Sequence, residues 1–300
     1  MHPVCPEAQS CHLQAARARL LPPDAEVPVI LAPLERLRVA VERARLSEHV
    51  YQLRASPQVP EPAGWQLLSS QELTALGVSP AMLFDAKIDF QAALYKGSSE
   101  HPDKVVIAYA GTTSLTKGGF GDVWQGLGLK TTQSKYKKAM ELAKAVARKK
   151  PVHLLETTGH SLGGTLAAAA TVVTGARGYT FNAAGLHANT VGRYPFGFSH
   201  QYMLAQAYLI EAYYSTADPL TALQNGLNFP HGYLGPKALG IARPVAPAPQ
   251  WTHQWRELLT RNPLAVAKAM FADGHEVPQL VASLTYAIAQ ASAVLGGASE

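Results

Sequence analysis

The chain has 300 residues, 47% of them hydrophobic and 16% charged, with a formal net charge of +5. This composition supports one large folded domain and excludes collagen-like, coiled-coil and wholly disordered chains. No nucleic-acid-binding motif accompanies the mild positive charge, so we expect no nucleic-acid partner. The two cysteines, Cys5 and Cys11, lie together near the start, which excludes a disulfide scaffold for the domain.

The ends of the chain predict its domain organisation. Residues 1–32 contain several prolines and little periodicity, which predicts a flexible segment ahead of a single domain over 33–300. We expect no signal peptide, because an apolar core of about 7 to 15 residues is missing there. No stretch reaches the roughly 18 apolar residues of a membrane span. We therefore expect a chain made in the cytoplasm that needs a dedicated export route to act elsewhere.

Helix and strand patterns alternate from residue 34 onward. Apolar residues at helical spacing predict helices over 34–53, 70–76, 132–149, 162–173, 254–260, 263–271 and 277–295. Apolar runs between turn residues predict strands over 90–95, 105–110, 152–158 and 178–182, and a further strand around 208–214 within 205–215. The Pro-rich segment 241–250 is expected to be a surface loop. This order favours an α/β fold with a mostly parallel central sheet and helices on both faces.

The strongest motif is Gly159-His160-Ser161-Leu162-Gly163, which joins a predicted strand to a predicted helix. A nucleophilic serine in such a turn strains its backbone, and glycines two residues away on each side avoid clashes. The hydroxyl of Ser161 is then expected to be exposed at the head of a helix, where the N–H of Leu162 can donate to an oxyanion. The alternative is a glycine-rich strand–helix turn with an incidental serine.

A second oxyanion donor is expected at the end of the preceding strand, in Ala110-Gly111-Thr112. Gly111 lets the chain approach a substrate closely, and Thr112 would supply a backbone N–H. A simple strand-ending turn is the alternative.

A nucleophilic serine needs a base and an acid that orients the base. Asp218 follows a predicted strand, so it lies at the sheet edge expected for Ser161, whereas Glu211 lies inside that strand. The alternative role for Asp218 is an N-cap of the next helix. The base is expected to be His275, in a loop that opens the last helix, with His231 and His253 as alternatives.

These residues, with further motifs, resemble the class 3 lipase group of α/β-hydrolases. The likeness is greater to a bacterial branch containing Mbeg1-like proteins and secreted lipase effectors. The other matching motifs are Leu46-Ser47-Glu48-His49-Val50-Tyr51, Asp122-Val123-Trp124, Phe181-Asn182-Ala183-Ala184-Gly185 and Asp218-Pro219-Leu220-Thr221. One departure is Tyr109-Ala110 in place of the usual Phe-Arg before Gly111. Because that Arg often braces the oxyanion loop, the brace must come from elsewhere in this chain.

The resemblance implies a serine hydrolase of acyl-lipid esters, a lipase or phospholipase A, with an α/β-hydrolase fold. It implies a Ser161–His275–Asp218 triad and oxyanion donors from Thr112 and Leu162, and no metal or organic cofactor. It also implies a lipid or acyl-ester substrate at a membrane surface, and an immunity protein or secretion component as partner. Segments 115–129 and 194–198 fit a lid or acyl-chain wall, or packed surface loops.

Two other functions remain open at this stage. One is a soluble esterase or thioesterase that acts on small acyl substrates. The other is a catalytically silent hydrolase fold used for binding. The basic run from Lys135 to Lys150 fits a solvated helix face or contact with an anionic surface such as a phospholipid membrane.

Overall fold

The computed structural model describes residues 33–98, 101–111, 130–187, 190, 199–224, 237–249 and 275–297. Helices in these segments are α1 (Pro33–Ala55), α2 (Ser70–Ala75), α3 (Pro80–Leu83), α4 (Lys130–Ala147), α5 (Leu162–Thr174), α6 (His200–Gln206), α7 (Pro219–Gln224) and α8 (Val277–Gly297). The strands are β1 (Trp65–Leu67), β2 (Phe84–Asp85), β3 (Phe90–Gly97), β4 (Val105–Tyr109), β5 (Leu155–His160), β6 (Arg177–Phe181), β7 (Ile210–Ser215) and β8 (Ile241–Val245). The expected flexible segment 1–32 and the predicted helices over 254–260 and 263–271 lie outside these residues.

The strands form one mixed sheet in the order β1-β3-β4-β5-β6-β7-β8, with β2 paired to β3. Strands β4 to β8 run parallel, and β1 and β3 complete the sheet with antiparallel pairings. The predicted mostly parallel α/β-hydrolase-like sheet is confirmed. Because parallel strands end at one edge, the segments after β4, β5, β6 and β7 come together there.

Helices cover both faces of the sheet, as predicted. Residues from α4 and α5 pack with Ile107 and Tyr109 of β4 on one face. Residues from α1 and α8 pack with Tyr179, Phe181 and Tyr213 on the other. Because successive side chains of a strand point to opposite faces, two covered faces require the nearly continuous apolar runs seen in the sequence.

Helix α1 is fixed to the central strand β5 by polar contacts. The guanidinium of Arg43 is completely buried, 2.6 Å from the carboxylate of Glu156 and 4.4 Å from the ring centre of Trp65. Four residues on, the hydroxyl of Ser47 lies 2.9 Å from the hydroxyl of Thr158. The helical pattern left Arg43 among the polar positions, but the structure buries it because Glu156 supplies the opposite charge.

Three predicted boundaries differ from the structure. The expected surface loop at 241–250 contains β8, an edge strand whose Arg243 side chain bonds to Glu211 of β7. Pro244 hid this strand in the sequence, but an edge strand tolerates a residue that cannot donate outward. The first residues of the predicted strands 152–158 and 208–214 instead belong to single helical turns before β5 and β7.

The basic face predicted for α4 is only partly solvated. Lys135 and Lys138 bond to Asp89 and Asp85, which fixes α4 to the segment before β3. Within the described residues, no helix has the length and apolar character needed to cross a bilayer.

Candidate active site

Ser161 occupies a strained turn between β5 and α5. Its backbone has φ 55° and ψ −126°, a conformation that costs a non-glycine residue about 1 to 3 kcal/mol. The turn is held by neighbouring strand ends: the N–H of Ser161 donates to the carbonyl of Phe181 (3.0 Å), and the N–H of Ala184 donates to the carbonyl of Ser161 (3.3 Å). The geometry is that of a nucleophile elbow.

Glycines allow this turn to pack tightly. A Cβ at Gly159 would collide with the backbone of Gly163, the second residue of α5. A Cβ at Gly163 would collide with the carbonyl oxygen of Tyr109 and the carbonyl carbon of Ala110 at the end of β4. The elbow and the end of β4 therefore touch backbone to backbone.

The expected exposure of Ser161 is wrong. The residue is 4% exposed, and its backbone is hydrogen-bonded to Phe181 and Ala184. A substrate must therefore reach it through a narrow opening or by displacing neighbouring chain.

Asp218 and His275 form a buried pair at the same sheet edge. The Nδ1 of His275 lies 2.6 Å from an oxygen of Asp218, and their side chains are 5% and 0% exposed. Because an ionised carboxylate only accepts, Nδ1 carries the proton, and Nε2 of the neutral ring is left as the acceptor. Among the described residues this Nε2 has no hydrogen-bond partner.

The ring of His275 lies beside the elbow. Its centre is 4.7 Å from the ring centre of His160, the residue before Ser161. Burial lowers the pKa of His160 well below its usual value, and the nearby His275 lowers it further. His160 is therefore neutral near pH 7.

Asp218 also fills the alternative role that the sequence left open. Its second carboxylate oxygen accepts from the N–H of Thr221 at 2.7 Å, which caps the start of α7. Each oxygen thus has its own donor, so capping and contact with His275 occur together.

The predicted oxyanion donors are described only in part. Leu162 is the first residue of α5, where N–H groups lack acceptors within the helix. Thr112 lies outside the described residues, which end at Gly111 in this segment. The same holds for His231, His253, the Asp122-Val123-Trp124 motif and segments 115–129 and 194–198.

Comparisons with known proteins show the family to which this chain belongs. Residues 42–246 match the model of a phospholipase-like family described as the Tle-like phospholipase domain. The chain belongs to this family. An extracellular phospholipase A1 of Serratia liquefaciens is 34% identical over 197 residues, which are 66% of this chain and 56% of that protein. The chain therefore spans just over half the length of this relative.

A solved structure of the MDLA N225Q mutant from Penicillium cyclopium is also similar. It covers 72% of this chain and 81% of its own, at 18% identity and a TM-score of 0.41. The family match and the Serratia relative, rather than this structure, confirm the predicted likeness to bacterial lipase-like enzymes, while the class 3 assignment stays a prediction.

The matched phospholipase domain contains two supporting residues whose roles the sequence did not reveal. Asn182 accepts from the N–H of Ser215 at 2.9 Å, so it links the ends of β6 and β7. Tyr51 bonds to the backbone of Gly111 and of His160. In the sequence, Asn182 and Tyr51 stood out only as members of motifs that resemble the family. A hydrogen bond to a distant backbone group leaves no pattern of residue spacing that would reveal it.

Within the described residues, no group of three or more His, Cys, Asp or Glu side chains could hold a metal ion.

Proposed function

We propose that this domain hydrolyses acyl esters of phospholipids with Ser161 as nucleophile, His275 as base and Asp218 as the group that orients the base. The observation that carries the proposal is the buried Asp218–His275 hydrogen bond beside the strained elbow that bears Ser161. Family membership supports the ester chemistry, and the Serratia relative, named a phospholipase A1, supports phospholipid as the substrate.

The reaction would proceed by acyl transfer. Nε2 of His275 takes the proton of the Ser161 hydroxyl as its oxygen attacks the ester carbonyl. The carboxylate of Asp218 stabilises the imidazolium that forms. His275 then protonates the leaving lysophospholipid oxygen, and water, activated by the same ring, releases the fatty acid and restores Ser161.

The developing oxyanion needs backbone donors. The N–H of Leu162 at the start of α5 is one, and the predicted N–H of Thr112 is the other. Each such donor typically contributes about 2.7 to 4 kcal/mol to transition-state stabilisation. These donors must stand at a fixed distance from Ser161, which makes the contact between β4 and the elbow important for rate.

The Serratia relative is named an extracellular enzyme, which supports export of this domain as well. We propose that it is made in the cytoplasm and delivered by a dedicated secretion machine, with an immunity protein that protects the producer. Retention of all activity in washed producer cells, with none in the medium or in contacted cells, would contradict export.

Labelling with a fluorophosphonate probe, followed by peptide mapping, tests the nucleophile. We expect one adduct, at Ser161, in the wild-type chain and none in Ser161→Ala. Because Ser161 is nearly buried, labelling is compared with and without detergent micelles. A folded protein that is unlabelled in both conditions would point to a silent binding protein and contradict the proposal.

Substrate class is tested with the same preparations. We expect faster release of fatty acid from phosphatidylcholine vesicles than from a short-chain p-nitrophenyl ester, and the loss of both activities in His275→Ala. His231→Ala is the matched control and should keep most activity. A preference for the short ester would favour a small-substrate esterase, and equal losses in the two variants would exclude His275 as the specific base.

A further inference from the structure

The hydroxyl of Tyr51 links two backbone segments of the candidate active site. It accepts a hydrogen bond from the N–H of Gly111 at 2.7 Å and donates one to the carbonyl of His160 at 3.1 Å. Gly111 lies just beyond β4, in the segment that leads to the predicted oxyanion donor. His160 is the last residue of β5 and precedes Ser161.

This bridge stands where direct strand pairing stops. The last paired residues of β4 and β5 are Tyr109 and Gly159. Beyond them β5 turns into the elbow, so backbone groups on the two strands no longer meet directly. The Tyr51 oxygen fills the gap as N–H···O–H···O=C and continues the connection between the strands.

Steric contacts leave this connection little freedom. A Cβ at Gly111 would collide with the Tyr51 hydroxyl and would lie 3.2 Å from both the nitrogen of Gly163 and the carbonyl oxygen of His160. The Tyr51 hydroxyl, the end of β4 and the elbow are therefore in close contact around Gly111. Its ring also contacts that of His160 edge-on, with centres 6.1 Å apart.

The helix that carries Tyr51 is itself fixed to the sheet. Helix α1 is joined to β5 by Arg43–Glu156, two turns before Tyr51, and by Ser47–Thr158, one turn before it. The tyrosine ring packs beside a buried cluster that includes Val106 and Ala108 of β4. The hydroxyl is thus held by a rigid support that belongs to neither segment it joins.

The hydroxyl keeps its proton under working conditions. Burial raises the pKa of Tyr51 far above its usual value, although the bond from Gly111 opposes this shift. The group can therefore donate to His160 and accept from Gly111 at the same time. A phenylalanine ring at this position would fill the same space and could do neither.

We propose that Tyr51 is a positioning residue whose hydroxyl sets the distance between the end of β4 and the nucleophile elbow, so that donors from both segments reach one oxyanion. The proposal rests on the hydrolase function proposed above. It also supplies the brace for this loop that Ala110, in place of an arginine, cannot provide.

The test compares Tyr51→Phe with Tyr95→Phe. Tyr95 of β3 is a matched control because it is buried. Its hydroxyl bonds at 2.8 Å to His49 of α1, the helix that also carries Tyr51, rather than to the candidate active site. For Tyr51→Phe we expect kcat per labelled active site to fall about 10- to 100-fold, with KM within about twofold. For Tyr95→Phe we expect kcat per labelled active site to stay unchanged. We expect Tm to fall by a similar amount in both variants.

Hydrogen exchange provides a readout that does not depend on catalysis. Tyr51→Phe should speed amide exchange in peptides that contain Gly111, whereas Tyr95→Phe should leave these peptides unchanged. If wild-type protein shows no ester hydrolysis, the proposed function fails, while hydrogen exchange still tests the bridge. If wild type is active and Tyr51→Phe matches Tyr95→Phe in kcat, the positioning role is overturned.

Discussion

The carboxylate of Asp218 makes two hydrogen bonds, one in the candidate active site and one at the start of α7. One oxygen accepts from His275 and the other accepts from the N–H of Thr221. The two roles respond differently to substitution, because asparagine is about as good an N-cap as aspartate but carries no charge. Chemistry and stability can therefore be separated at this single residue.

We expect Asp218→Asn to lower kcat by roughly 10³- to 10⁴-fold, since the neutral amide cannot stabilise the imidazolium and favours the wrong tautomer of His275. Its Tm should stay close to wild type because the cap of α7 survives. Asp218→Ala should lose both the catalytic activity and the cap of α7. kcat is measured from initial rates on phosphatidylcholine vesicles, and Tm is measured from thermal unfolding curves. An Asp218→Asn enzyme with near wild-type kcat would reduce Asp218 to a helix cap.

At the scale of elements, the contact between α1 and β5 depends on a buried ion pair. Arg43 bonds to Glu156, and Lys104 bonds to the other oxygen of Glu156 at 2.8 Å. Burial alone would raise the pKa of Glu156, but the charges of Arg43 and Lys104 outweigh it and hold that pKa at about 2. Removing Glu156 leaves the buried charge of Arg43 with Glu42, 2.8 Å away and partly exposed, as its remaining acidic partner.

We expect Glu156→Gln to lower the free energy of unfolding by about 3 to 5 kcal/mol at pH 7. The double variant Arg43→Met with Glu156→Gln should lose less, because the buried charge of Arg43 is removed together with its buried partner. Urea denaturation measures both. A double variant less stable than Glu156→Gln would show that the pair contributes through packing of Arg43 on Trp65 rather than through charge.

The same pair gives a pH dependence with a defined sign. Because the folded pKa of Glu156 lies below the unfolded value of about 4.3, its stabilisation is complete above that pH and is lost as pH falls toward about 2. The stability gap between wild type and Glu156→Gln should therefore narrow on acidification. A gap that stays constant from about pH 6 to pH 3 would contradict the shifted carboxyl.

Element order and the elbow could be predicted because they follow from local signals. Helix and strand patterns that alternate along the chain predicted the parallel strands. Because the ends of parallel strands meet at one edge of the sheet, they also predicted that Ser161 and Asp218 lie at that edge. Strand β8 was missed because Pro244 looks like a loop residue until its edge position is known. Buried Arg43 and bridging Tyr51 were missed because their partners lie more than 50 residues away in sequence and carry no periodic signature.

At the scale of the whole molecule, the direction of the strands relates charge to substrate access. Exposed Arg148 and Lys149 follow α4 and lie near the start of β5, whereas Ser161 follows its end. The six residues of β5 span about 20 Å, at roughly 3.3 Å per residue. This separation exceeds the Debye length of about 8 Å at physiological salt. The charges at the basic end therefore have little electrostatic effect at the catalytic edge.

A membrane docked on that basic end would lie away from the catalytic edge. We therefore expect Arg148→Glu with Lys149→Glu to change hydrolysis of anionic vesicles by less than about twofold at physiological salt, where the charges are screened from Ser161. Neutral vesicles provide the comparison, and the double variant should give the same anionic-to-neutral rate ratio as wild type. A selective loss on anionic vesicles that disappears at about 1 M salt would instead show that this end recruits the enzyme to lipid. In that case the protein would have to turn after binding, because a bilayer docked end-on at the start of β5 would lie about 20 Å from Ser161.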